Sequence, residues 1–128
     1  MTTGNVGKYL YEPNVALLKA GAFKLPSAVY QVHKLDEHTH LYSADTLIAD
    51  FPGKVYEVDQ CFQPNKKLIK KYLGNKKVSV KTRNFPDSVS AIRKKFNLKD
   101  GNDAYVFFCQ VAGNYTVVAC RKAGENNY

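Results

Sequence analysis

The sequence predicts an α/β domain of the α+β kind: an N-terminal helical segment, then a β-α-β-α-β-β single sheet with helices packed on it. Three observations carry this. Residues 55–62 and 78–85 alternate with period two, as a strand with one buried face does. Residues 64–73 and 87–96 place apolar side chains at helical spacing. Residues 105–111 and 115–121 are two strand-like runs separated by Gly113-Asn114, the short turn of a hairpin. A chain of 128 residues fits one domain and buries a core without staples.

Taken in order, residues 1–7 and 123–128 read as loose ends around a single domain spanning 8–122. Lys8 to Tyr11 alternates and reads as a short strand or a lead-in arm. Pro13-Asn14 opens a helix with Asn14 as N-cap and Gly21 at its close. Leu25, Ala28, Val29 and Val32 form the apolar face of a second helical stretch, in which Pro26 either begins a new helix or kinks a longer one. His40 to Tyr42 reads as a short strand, Ala44 to Asp50 as a helical turn and Phe51-Pro52-Gly53 as a turn. In the strand Val55 to Phe62, Val55, Glu57, Asp59 and Cys61 alternate against Tyr56, Val58, Gln60 and Phe62. Pro64 to Leu73 is a helix with proline at its first position and Gly74 after its end. Val78 to Phe85 is the next strand, and Asp87 or Ser88 caps the helix that buries Val89, Ile92 and Phe96. Tyr105 to Cys109 is apolar on both faces, which places it in the middle of a covered sheet.

No apolar run approaches the roughly 20 residues that span a bilayer, and Met1-Thr2-Thr3-Gly4-Asn5 lacks the plan of a signal peptide. Cys61, Cys109 and Cys120 lie within apolar runs and read as buried free thiols, which fits a reducing, cytoplasmic setting. Asp36-Glu37-His38-Thr39-His40 offers two histidines on one strand face, but no further ligands stand at metal-binding spacing, so it reads as a polar turn. No glycine-rich phosphate loop and no nucleophile elbow appears, which leaves no catalytic, cofactor-binding or metal-ligating residue to nominate and argues against an enzyme complete in itself.

The charge is +8 overall, and it is localised. Residues 64–98 hold eleven basic side chains and one acid, Asp87. In the helix 64–73, Lys66, Lys67, Lys70 and Lys71 face away from Leu68, Ile69, Tyr72 and Leu73. In the next strand, Lys81 and Arg83 share a face with Ser79, opposite Val78, Val80 and Thr82. In the helix after it, Lys94 and Lys95 point outward. Three consecutive elements with a basic side suit a phosphate backbone, and these eight residues are the candidate phosphate contacts. They equally suit a solvated surface that keeps the domain soluble while the apolar segment 8–32 docks on another protein domain.

Several stretches together resemble a known family: Lys8-Tyr9-Leu10-Tyr11-Glu12-Pro13-Asn14 leading into Leu18-Lys19-Ala20-Gly21-Ala22-Phe23-Lys24, then His40-Leu41-Tyr42-Ser43, Phe51-Pro52-Gly53-Lys54-Val55-Tyr56-Glu57-Val58, Arg83-Asn84-Phe85-Pro86 and Leu98-Lys99-Asp100-Gly101. Over roughly residues 8–122 the chain is similar to the C-terminal THUMP-like domain of bacterial class I S-adenosylmethionine-dependent methyltransferases of the Bacteroidetes type. The resemblance implies a parent whose catalytic half precedes Met1 and carries S-adenosylmethionine, with no cofactor in this domain. It implies a non-catalytic accessory domain that docks RNA, tRNA in particular, beside the catalytic domain of the same polypeptide. Pro26 departs from the uninterrupted helix expected there.

Overall fold

The computed structural model describes residues 5–14, 32–48 and 50–125. They form one mixed sheet of eight strands with two short helices. In chain order these are β1 (Tyr9–Pro13), β2 (His33–Asp36), β3 (Thr39–Ala44), β4 (Gly53–Phe62), α1 (Lys66–Leu73), β5 (Lys77–Arg83), α2 (Val89–Phe96), β6 (Lys99–Asp100), β7 (Ala104–Val111) and β8 (Asn114–Glu125). Across the sheet the order is β2-β3-β1-β4-β8-β7-β5-β6. Neighbours from β2 to β7 are antiparallel, whereas β5 runs parallel to both β7 and β6. The parallel β5–β7 pair follows from the crossover through α2, the kind of connection that parallel neighbours require.

The predicted β-α-β-α-β-β run is present, with the two-residue strand β6 added. The N-terminal part is different in kind, because β1, β2 and β3 extend the same sheet. The helices expected from Asn14 to Gly21 and around Leu25 to Val32 fall largely on residues outside those described. Asn14 itself donates its amide to the carbonyl of Pro52 at 2.9 Å. The helical turn expected over 44–50 is not formed among its described residues: Ala44 ends β3, and 45–48 are irregular. The phenol of Tyr11 explains this. It donates to Thr46 O at 2.9 Å and accepts from Ile48 N at 2.9 Å, which takes up the backbone groups a helical turn would use.

The helices start at side-chain caps. Asn65 Oδ1 accepts from Leu68 N at 2.9 Å, so Pro64 stands before the cap and not at the first helical position as expected. Ser88 Oγ accepts from Ala91 N at 3.1 Å and settles the choice between Asp87 and Ser88. Asn97, at φ +52°, ends α2 in the left-handed conformation.

A bulge in β4 corrects the expected alternation. Val58 pairs with Cys120 and Gln60 with Ala119, so Asp59 is an extra residue against β8. Before it, Tyr56 and Val58 pack with Phe107, Val118 and Cys120; after it, Phe62 packs on the opposite face with Ile69, Val106 and Val117. The extra residue is what lets one strand feed both cores. Cys61, beyond the bulge, is exposed, not buried as expected, while Cys109 and Cys120 are buried.

The β7–β8 hairpin turns on Ala112-Gly113, one residue earlier than expected, since Val111 pairs with Asn114. Both turn residues have positive φ, 48° and 84°, the requirement of the turn that matches strand twist. The β2–β3 hairpin holds this turn from outside: Asp36 Oδ2 accepts from Gly113 N at 2.8 Å and Leu35 O accepts from Ala112 N at 2.8 Å. The first hairpin therefore reaches over to the end of the second, and the sheet curls.

Three buried clusters result. Leu10, Leu35, Leu41, Tyr56, Phe107, Val118 and their neighbours fill the inside of the curl. Val78, Val80, Val106, Phe108, Val117 and Ala119 face the helices, which contribute Ile69, Leu73 and Ile92. Tyr11, Val32, Tyr42, Phe51 and Val55 form a third cluster on the N-terminal strands.

Candidate nucleic-acid interface

The apolar spacing of α1 buries Ile69 and Leu73 against the sheet and leaves Lys66, Lys67, Lys70 and Lys71 exposed. In α2 the same logic buries Ile92 and leaves Lys94 and Lys95 exposed. The two helices lie on one face of the sheet, and a groove of about 350 Å³ opens between them. Its walls carry Lys66 and Lys70 from α1 and Lys95 and Asn97 from the end of α2, over an apolar floor of Ile69, Phe96 and Leu98. None of the six helix lysines has a carboxylate partner among the described residues. Lys71 Nζ sits 5.1 Å from the ring centre of Tyr72, and Lys95 Nζ 5.4 Å from that of Phe96. Neither helix has an acid in its first turn.

Lys81 and Arg83 lie elsewhere. Their face of β5 is opposite the one that carries Val78 and Val80 under the helices, so both point into the curl. There Lys81 Nζ lies 3.3 Å from Glu12 Oε1, and Arg83 Nη2 donates to Glu12 Oε2. Tyr56 OH donates to the same carboxylate at 3.3 Å and accepts from Lys81 at 3.4 Å. Lys81 also lies over the rings of Tyr56 and Phe107, at 5.9 and 5.8 Å. Burial, the Glu12 charge and the hydrogen bond to it push the Tyr56 phenol far above its ordinary range, so it serves as a donor. Of the eight candidate residues, the structure thus brings six together on the helix face and assigns two to an ion-paired cluster on the other. The parity of β5 was the signal for this division: the side of Val78 and Val80 must be the one covered by helices, and Lys81 and Arg83 have the opposite parity. Asn97 and the partnership of Glu12 were not seen in the sequence, the first because it is defined by a helix end and the second because it spans 71 residues.

His38 lies in the two-residue turn between β2 and β3, and burial together with the Lys34 charge lowers the pKa of His40. Among the described residues no group of three His, Cys, Asp or Glu is placed to hold a metal ion, and no helix is long and apolar enough to cross a membrane.

The described residues form a small α+β domain with a basic helix face. Its family can be stated. Residues 53–122 match the THUMP domain-like family, and residues 9–52 match a ferredoxin-like domain family. The chain belongs to the THUMP domain-like family. It is also similar to the crystal structure of a candidate methyltransferase from Porphyromonas gingivalis W83, with a TM-score of 0.86 and 30% identity over 97% of this chain. The match covers 31% of that protein's chain, so this chain spans under a third of its structural relative. No curated protein matches the chain.

Proposed function

We propose that the chain is the RNA-docking part of an S-adenosylmethionine-dependent RNA methyltransferase, non-catalytic by itself, and that it holds tRNA by its phosphates for a catalytic domain of the same polypeptide. The observation that carries this reading is the α1–α2 groove, where Lys66, Lys70 and Lys95 converge without carboxylate partners among the described residues. Lys67, Lys71 and Lys94 flank it on the same helices and extend the positive field along the backbone of a bound strand. Such contacts position a nucleic acid without reading its sequence. The cofactor belongs to the catalytic domain, which fits the similarity to a larger candidate methyltransferase. Lys81 and Arg83 support the sheet in this reading, since Glu12 neutralises part of their charge.

The test is the salt dependence of tRNA binding. Each neutralised phosphate contributes about −0.7 to −0.9 to the log–log slope. Four engaged lysines give a slope near −3, roughly a hundredfold loss between 50 and 200 mM salt. Reversal of Lys66, Lys70 and Lys95 to glutamate abolishes binding at 50 mM salt and preserves the circular dichroism of the fold. A folded chain that binds no tRNA at 50 mM salt, or binds it regardless of these reversals, makes the domain a protein-docking module instead.

A further inference from the structure

The helix face carries a second kind of surface that the lysines do not explain. Tyr115, at the start of β8, is 49% exposed, one of two large hydrophobic residues left open among those described. Its register places it on the side of Val117 and Ala119, the side that packs under the helices. Its ring is held by Phe85 at 5.2 Å and 72°, an edge contact that orients the ring and leaves half of the residue open to solvent. Phe85 contacts Phe108 at 5.5 Å, and Phe108 contacts Phe96 at 6.0 Å. Phe96 lines the lysine groove. Three successive ring contacts therefore connect the open tyrosine to the floor of the basic groove, all on one face.

The geometry points to Tyr115 as a stacking platform for an unpaired nucleobase of the RNA whose phosphates lie in the α1–α2 groove. This rests on the reading of the groove as a phosphate site. An oriented aromatic ring near a basic groove is the arrangement by which proteins bind single strands, because every base offers a face to stack on while the phosphates meet the cations. A duplex hides its base faces and gains nothing from such a ring. The occupant is accordingly a single-stranded segment, such as a loop or an end, that crosses from the groove to the β7–β8 hairpin. The cations of the groove, at the far end of the three ring contacts, select this occupant over an apolar protein surface.

The chain contains no tryptophan, so Tyr115→Trp introduces one reporter at the proposed contact. Titration of this variant with a twelve-residue oligouridine quenches its fluorescence at saturation, whereas inorganic polyphosphate, which occupies the lysines but has no base, leaves it unquenched. By isothermal titration calorimetry, Tyr115→Ala lowers oligouridine affinity about fivefold or more and Tyr115→Phe retains it, in keeping with the cost of losing one stacked base. Affinity for polyphosphate is the same in all three, and Leu47→Ala, at the other exposed apolar residue, has no effect on either ligand. If the lysine reversals abolish RNA binding but Tyr115→Ala leaves it unchanged, the platform is wrong and the phosphate groove stands. If polyphosphate quenches the indole as RNA does, the ring senses charge and not a base, and the platform is again wrong. Absence of any RNA binding removes both readings.

Discussion

The carboxylate of Glu12, on the first strand, accepts a hydrogen bond from the guanidinium of Arg83, 71 residues further along on β5. Lys81 and Tyr56 converge on the same carboxylate. Glu12 is 13% exposed at its side chain, so two cations and a phenol share one mostly desolvated acid. Removing that acid leaves the cations facing each other over aromatic rings, and the loss exceeds that of a surface pair. Glu12→Gln is expected to lower unfolding stability by about 2 kcal/mol, read from the urea midpoint at unchanged slope. An unchanged midpoint would show that solvent screens the cluster.

The separation of the two basic groups gives a second expectation. Lys81→Met is predicted to lower stability and leave the tRNA salt slope intact, whereas Lys70→Met is predicted to lower the slope by about 0.7 to 0.9 at constant stability. Equal effects of both on the slope would return Lys81 to the interface.

The Asp59 bulge predicts that the strand tolerates both deletion and substitution of its extra residue. Deleting Asp59 joins the Val58–Cys120 and Gln60–Ala119 pairs into a regular ladder and leaves Phe62 opposite Val117, on the helix side where its ring is buried. The deletion variant should fold cooperatively, because every remaining pair of β4 with β8 keeps its register. Asp59→Ala keeps the extra residue and removes only an exposed ion pair with Arg121, so a change within about 0.5 kcal/mol is expected. Loss of cooperative unfolding or of native near-ultraviolet circular dichroism on deletion would contradict this account of β4.

At the β7–β8 turn, Ala112 takes a left-handed conformation that asparagine tolerates better. Ala112→Asn should stabilise the domain by about 0.5 kcal/mol, and Asp36→Ala should destabilise it by about 1 kcal/mol by removing the acceptor of the Gly113 amide. Thermal unfolding of the two variants checks both signs.

The thiols are separable by chemistry. Burial pushes Cys109 up to about 12, and Cys120 is raised for the same reason; Cys61 is raised to about 11 but is exposed. Ellman's reagent at pH 8 should modify Cys61 alone, slowly, and all three in denaturant. The linkage has a definite sign: the folded state holds the Cys109 proton more tightly than the unfolded chain. Its contribution is complete below pH about 8.5 and is lost as pH rises towards 12. Rapid modification of more than one thiol in the native protein would contradict the burial.

The C-terminal half was largely legible because its signals are local. Alternation in 78–83, helical spacing in 66–73 and the apolar run at 105–109 each report a nearby neighbour. The bulge was not legible, since Val55 to Phe62 alternates without interruption and only the partner strand defines the extra residue. The hairpin register slipped because Gly113-Asn114 is a good turn pair in isolation, while the observed turn takes Ala112 and is held by Asp36, 77 residues away from Gly113. The lysines of α1 and α2 could be grouped from helical spacing. Lys81 and Arg83 were grouped with them by proximity in the chain, which in a strand beside helices is a poor guide to facing.

Gly53 sits where the two family matches meet, at residues 52 and 53, and a side chain there would lie 2.1 Å from the carbonyl oxygen of Glu12. That boundary runs through the paired strands β1 and β4, from Tyr9 opposite Glu57 to Pro13 opposite Gly53. A cut there separates hydrogen-bonded partners and leaves two raw strand edges open to self-association. The two stretches matched as separate families therefore share one hydrogen-bonded sheet, and neither closes its own edge without the other.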